Sequence, residues 1–136
     1  MLGLALSASA DDGLVQLSNE VFLLPGAYAP GSQPDGNSVL LAGDTGWIVF
    51  DTGRHPAHAQ RILEFVETDR SRVEAIVNSH WHLDHVGGNA RIRERFPDLR
   101  VYASPGIQHA LDSWLASYRA QLVQLVEDPA TRAAER

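Results

Sequence analysis

Apolar and polar positions change period along this chain, and each change marks an element. Val21 to Leu24 is a short apolar run ended by Pro25-Gly26, while Asn37 to Ala42 and Trp47 to Asp51 flank a Gly43-Asp44-Thr45-Gly46 turn. Apolar runs on either side of a Gly/Asp turn predict a β-hairpin. From Pro56 to about Asp69 the period lengthens: Ala59, Ile62, Leu63 and Val66 fall at i, i+3, i+4 and i+7, with Arg61, Glu64 and Glu67 on other faces. That spacing predicts an amphipathic helix with one buried stripe.

Val73 to Asn78 (VEAIVN) reads as a buried strand, Gly88 to Phe96 as a helical stretch stopped by Pro97, and Arg100 to Ala103 as another strand. Ser104-Pro105 supplies an N-cap and a proline at the first helical position. The helix expected after it carries Ile107, Leu111, Trp114, Leu115, Tyr118, Leu122 and Leu125 on one stripe, a pattern of core packing with no chemistry assigned. Asp128-Pro129 looks like one more helix start, so the chain is expected to end inside an element at Arg136. The order of hairpin, helix, strand, helix, strand, helix without repeat or linker argues a layered α/β domain over residues 13–136.

Composition narrows the function classes. At 136 residues and 44% hydrophobic content the chain is about one domain long. Its net charge of −6, with 11 dispersed basic residues, gives no reason to expect nucleic acid or a membrane surface, so the expected partner is a small molecule. Nothing in the pattern indicates an oligomeric state. There is no cysteine, and any metal must be held by nitrogen and oxygen. Residues 1–12 (MLGLALSASADD) read as the remnant of a signal peptide, with Ala8-Ser9-Ala10 as the cleavage pattern, which predicts a periplasmic or secreted protein and otherwise a cytoplasmic one.

The chemistry is concentrated in Asn78-Ser79-His80-Trp81-His82-Leu83-Asp84-His85, which holds three of the six histidines. In extended backbone His80 and His82 point to the same side, with Cα atoms about 6.5–7 Å apart, so their imidazoles can converge on one ion. Asp84 and His85 are suitably placed for a second ion beside it. Gly87 and Gly88 follow and are candidate loop supports, letting the backbone turn tightly before the next helix. Zinc suits such donors, with iron or manganese as alternatives. Trp81 and Leu83 are expected to pack beneath the loop. His55, His58 and His109 are expected at the surface, His55 being the one placed to line the mouth of a site.

His80-Trp81-His82-Leu83-Asp84-His85 resembles the HxHxDH motif of the metallo-β-lactamase fold superfamily, and Asp51-Thr52-Gly53 at the end of an early strand resembles that family's first motif. The similarity covers roughly residues 20–125. It implies the N-terminal half of an αββα metallo-β-lactamase-like sandwich, truncated at its C-terminus. It also implies that His80 and His82 hold a first metal, that Asp84 and His85 hold a second, and that Asp51 braces the ligand loop from behind. The implied activity is that of a zinc hydrolase, with one or two ions, in which Asp84 is the catalytic residue orienting a metal-bound hydroxide toward a small ester, lactone, thioester or β-lactam. Two alternatives remain: a mononuclear iron persulfide dioxygenase of the same fold, or a non-catalytic metal-binding module. The family's third histidine, bridging aspartate and last histidine have no counterpart here.

Overall fold

The computed structural model describes residues 13–68 and 72–110, together with Asp112 and Val123. Six strands form one sheet in sequence order: β1 (Val15–Ser18), β2 (Val21–Leu24), β3 (Ser38–Ala42), β4 (Trp47–Phe50), β5 (Val73–Asn78) and β6 (Arg100–Ala103). The first four pair antiparallel, and β4, β5 and β6 pair parallel. A parallel pair needs a crossover. Helix α1 (Pro56–Glu67) supplies one between β4 and β5, and the single turn α2 (Leu83–Val86) with α3 (Asn89–Arg95) supplies the other between β5 and β6.

The predicted hairpin is β3–β4, closed by Gly43 N–H donating to the Gly46 carbonyl at 2.8 Å. β5 and β6 coincide with the two predicted strands. β1 was not expected; its four side chains are all exposed, so it carries no alternation to read. Helix α4 (Gly106–Ala110) begins the predicted long helix, and the remainder of that stripe, like the signal-peptide segment, lies outside the described residues. No described helix is long and apolar enough to cross a membrane.

The strands place Phe22, Leu40, Val49 and Ile76 in one row across the sheet. Alternation turns that row to one face. The stripe of α1, namely Ala59, Ile62, Leu63 and Val66, is buried as its periodicity predicted. Ile62, Leu63, Val66 and Ile92 of α3 form one core with the sheet row. Phe22, Trp47 and Phe65 close one end of it, their ring centroids 4.9 to 5.7 Å apart in tilted and edge-on pairs. The opposite row, Leu23, Val39 and Val77, is half-buried and its member Phe50 is exposed. One helical layer on one mixed sheet is thus the architecture of the described residues.

Candidate metal centre

Parallel pairing brings the C-terminal ends of β4 and β5 to the same edge, where α/β folds build their sites. The ladder runs one step past β4, with Asp51 N–H donating to the Val77 carbonyl at 2.9 Å. Asp51 then adopts φ 59°, a left-handed conformation that Asp tolerates better than most residues with a side chain. The turn lowers its carboxylate into the loop that follows β5, where it is almost wholly buried. Oδ1 accepts Ser79 N–H at 2.8 Å, and Oδ2 lies 2.6 Å from Ser79 Oγ and 2.7 Å from His85 Nδ1.

That grip leaves His85 Nε2 facing Asp84, 3.3 Å from its Oδ2. The His80 ring lies 4.6 Å from that of His82 and 4.0 Å from that of His85, centroid to centroid. β5 stops at Asn78, as its sequence predicted, and the extended backbone expected across His80 and His82 is corrected: residues 79–81 form a bend, after which His82 serves as N-cap of α2. The two rings approach through a turn and not through strand alternation. Burial, followed by the neighbouring His85 and His82, pushes the His80 imidazole below its ordinary value and favours its neutral form.

The backbone of this loop is anchored from beneath. The His85 carbonyl accepts Thr52 N–H at 2.8 Å and Asn78 Nδ2 at 3.3 Å. Asn89, at the start of α3, accepts Thr52 Oγ1 at 2.8 Å and donates to Asn78 Oδ1 at 2.8 Å. Thr52 and Asn78 are buried, and their polar atoms are paired as buried polar groups must be. Gly87 and Gly88 support the loop sterically: a Cβ on Gly87 would lie 2.6 Å from the Arg54 carbonyl oxygen, and one on Gly88 would run into that of Thr52.

A third tie comes from residues 25–37, between β2 and β3. Gly36 N–H donates to the Asp84 carbonyl at 2.8 Å. Asp35 Oδ1 accepts the N–H groups of Arg54 and His55 at 2.7 and 2.8 Å, while Oδ2 pairs with His55 Nδ1 at 3.2 Å. Burial alone would raise the Asp35 carboxyl, but the bonds from His55 and Arg54 outweigh it and hold it below the ordinary carboxylate value. These contacts stand in for the side-chain cap that His55, the N-cap of α1, does not make.

The surface assignment holds for His109 and fails for His58. His58 is buried, with Nε2 2.8 Å from Ser38 Oγ and Nδ1 without a hydrogen-bond partner. Burial pushes its imidazole below the ordinary value, against the opposing pull of Asp35. Its position four residues before Ile62 already put it on the buried stripe of α1, and that was the signal to read. His55 is engaged by Asp35. Trp81 stands edge-on to His82 at 4.5 Å, and Leu83 is 38% exposed, so the expectation that it packs beneath the loop is corrected.

The four predicted ligands are therefore brought together, as two pairs. Among the described residues no group of three or more such donors is disposed to enclose one ion. The donor set fits zinc in kind, neutral imidazole nitrogen with carboxylate oxygen, and the engagement of His85 Nδ1 by a carboxylate is what a metal-binding histidine requires of its second nitrogen. Catalytic zinc usually takes three protein ligands, one more than either pair contains.

A family model described as the metallo-beta-lactamase superfamily matches residues 32–134. Among curated proteins, the hydroxyacylglutathione hydrolase of Crocosphaera subtropica is 47% identical over 49 residues, covering 36% of this chain and 19% of that protein. That of Photorhabdus laumondii is 41% identical over 61 residues, covering 41% and 24%. The chain thus spans about a quarter or less of these relatives. Of solved structures, a metallo-beta-lactamase from Pontibacter korlensis superposes with TM-score 0.61 at 20% identity, over 74% of this chain and 47% of that one. A Cronobacter sakazakii metallo-beta-lactamase with a mutated HARLDQ motif gives 0.55 at 31% identity, over 72% and 36%. With the matched segment spanning the sheet edge, the loop after β5 and the helices behind it, the chain belongs to the metallo-beta-lactamase superfamily.

Proposed function

We propose that this chain forms part of a metal-dependent hydrolase, with zinc as its metal and a small thioester as its substrate class. The observation that carries this reading is the placement of His85, with Nδ1 held by Asp51 at 2.7 Å and Nε2 turned to Asp84 Oδ2 at 3.3 Å. A pair of donors aimed alike and braced from behind suits a cation better than a structural ion pair, which needs no second carboxylate. The thioester class is supported by the hydroxyacylglutathione hydrolases among the relatives. Fold alone does not choose among ester, lactone, thioester and β-lactam.

In this reading His80 and His82 hold one ion, and Asp84 and His85 another. When bound, the metal supplies Lewis acidity and a water of lowered pKa. The chain's own residues do the rest. Asp51 fixes His85, the Thr52, Asn78 and Asn89 network fixes the carbonyl of the same residue, and Gly36 fixes that of Asp84. Asp84 accepts a proton or orients a water at Oδ2. Preorganisation of this kind removes the reorganisation that would otherwise accompany reaction.

The test is hydrolysis of an S-acylglutathione by the zinc-loaded chain, by the chelated chain and by an Asp84→Asn variant. Thioester turnover that chelator abolishes and the variant loses by about 100-fold or more, the usual scale for a general base, supports the assignment. Turnover indifferent to chelator, or persulfide oxidation restored by iron alone, would sink it.

A further inference from the structure

Ser79 donates to Asp51 and also touches two imidazoles, His85 at Nδ1 from 3.4 Å and His80 more closely. Its Oγ lies 2.6 Å from Asp51 Oδ2 and 2.9 Å from His80 Nδ1. The hydrogens available determine which atom donates in each contact. An ionised carboxylate only accepts, so the Ser79 hydroxyl must spend its single hydrogen on Asp51, and His85 must carry a hydrogen on Nδ1. The Ser79 oxygen then has only lone pairs left for His80. That contact is a hydrogen bond only if His80 also carries its hydrogen on Nδ1.

We propose that Ser79 is a positioning residue that extends the grip of Asp51 from His85 to His80, so that one buried carboxylate sets the free nitrogen of both imidazoles. Each neutral ring then presents Nε2. A second bond, from Ser79 N–H to Asp51 Oδ1 at 2.8 Å, fixes the main chain from which the hydroxyl reaches both partners. The ring centroids of His80 and His85 are 4.0 Å apart, so the two rings held by Asp51 and Ser79 lie side by side. Where His80 and His85 serve different ions, as proposed above, Asp51 and Ser79 link the two halves of the site. That consequence rests on the metal reading; the placement of hydrogens does not.

The experiment is long-range proton–nitrogen NMR of the histidine rings in the metal-free chain at about pH 8, where imidazoles are neutral, followed by zinc titration. Wild type is expected to show the Nδ1–H form at both His80 and His85. Ser79→Ala should release His80 into a mixture of forms while His85, bonded directly to Asp51, keeps its own; Ser79→Thr, which retains the hydroxyl, should restore His80. Zinc affinity should fall by roughly 10-fold or more in Ser79→Ala, the scale for loss of a group that orients a ligand, and recover in Ser79→Thr. An Nε2–H form at His80 in wild type overturns the proposal whatever the variants do, as does an unchanged His80 in a Ser79→Ala chain whose His85 signals show the loop intact. The expected ring forms without any zinc binding would uphold the proposal and overturn the metal reading instead.

Discussion

Two regions of this molecule bury side chains to similar depth by opposite chemistry. Beneath α1 and α3, Leu40, Val49, Ile62, Ile76 and Ile92 are wholly buried and meet only through shape. At the C-terminal edge of β4 and β5, Asp51, Thr52 and Asn78 are buried nearly as well, and each is held by named atoms at hydrogen-bond distance. Dispersion and burial are forgiving of identity when volume is kept, whereas a hydrogen-bonded position is lost with one atom. The core therefore sets whether the chain folds, and the polar edge sets what the fold can do.

That contrast predicts where mutations register. The largest loss should come from Ile76→Ala, which opens a cavity in the central strand and should reduce stability by about 2–5 kcal/mol in denaturant unfolding. Thr52→Val keeps the shape but strips Asn89 of a donor, and the expected loss is smaller, about 1–3 kcal/mol. If Thr52→Val proved as damaging as Ile76→Ala, the division between the two regions would be wrong.

Acid should act on the polar groups alone. His58 titrates below its ordinary value in the folded chain, so between about pH 6.5, the unfolded value, and its lower folded value the unfolded chain binds the extra proton and stability falls with pH. Asp35 is also depressed, so it contributes stability above the ordinary carboxylate value of about 3.9, and that contribution is lost as pH falls through its folded value. His80, depressed likewise, adds to the same slope, so urea midpoints should drop from pH 7.5 to 5.5 and His58→Gln should reduce that drop in part; an unchanged slope would remove His58 as a source. The smallest effect belongs to the exposed pair of Arg95 and Glu67, where Glu67→Gln should change stability by less than about 1 kcal/mol.

The same division governs what could be read from the sequence. The α1 stripe, the β3–β4 hairpin, β5 and β6 were legible because their periods are local. His80, His82, Asp84 and His85 stood out in the sequence because they lie within six positions, and the same short spacing brings the His80 ring near those of His82 and His85. Asp51 was legible only through the family resemblance, because its partners Ser79 and His85 lie 28 and 34 residues away. Asp35, Thr52, Ser79 and Asn89 were passed over for the same reason: a polar residue gives no sign in sequence of a distant carbonyl or amide. β1 and the single turn α2 were missed because the first buries nothing and the second is too short to show a period.

The most direct test of the claim that this polar edge is arranged to hold metal is a zinc titration of wild type and Asp51→Asn, with a urea midpoint for each. Asparagine tolerates the left-handed backbone at this position, but its single oxygen can replace only Oδ2; its amide NH2 would face the Ser79 N–H that Oδ1 accepts, and the charge that strengthens all three bonds is lost. Zinc affinity lower by about 10–100-fold, in a chain that still unfolds cooperatively with a stability loss no larger than the roughly 1–3 kcal/mol of one unpaired buried group, is the expected result. Equal affinity in the two chains would contradict the assignment of Asp51 as the residue that orients the ligand loop.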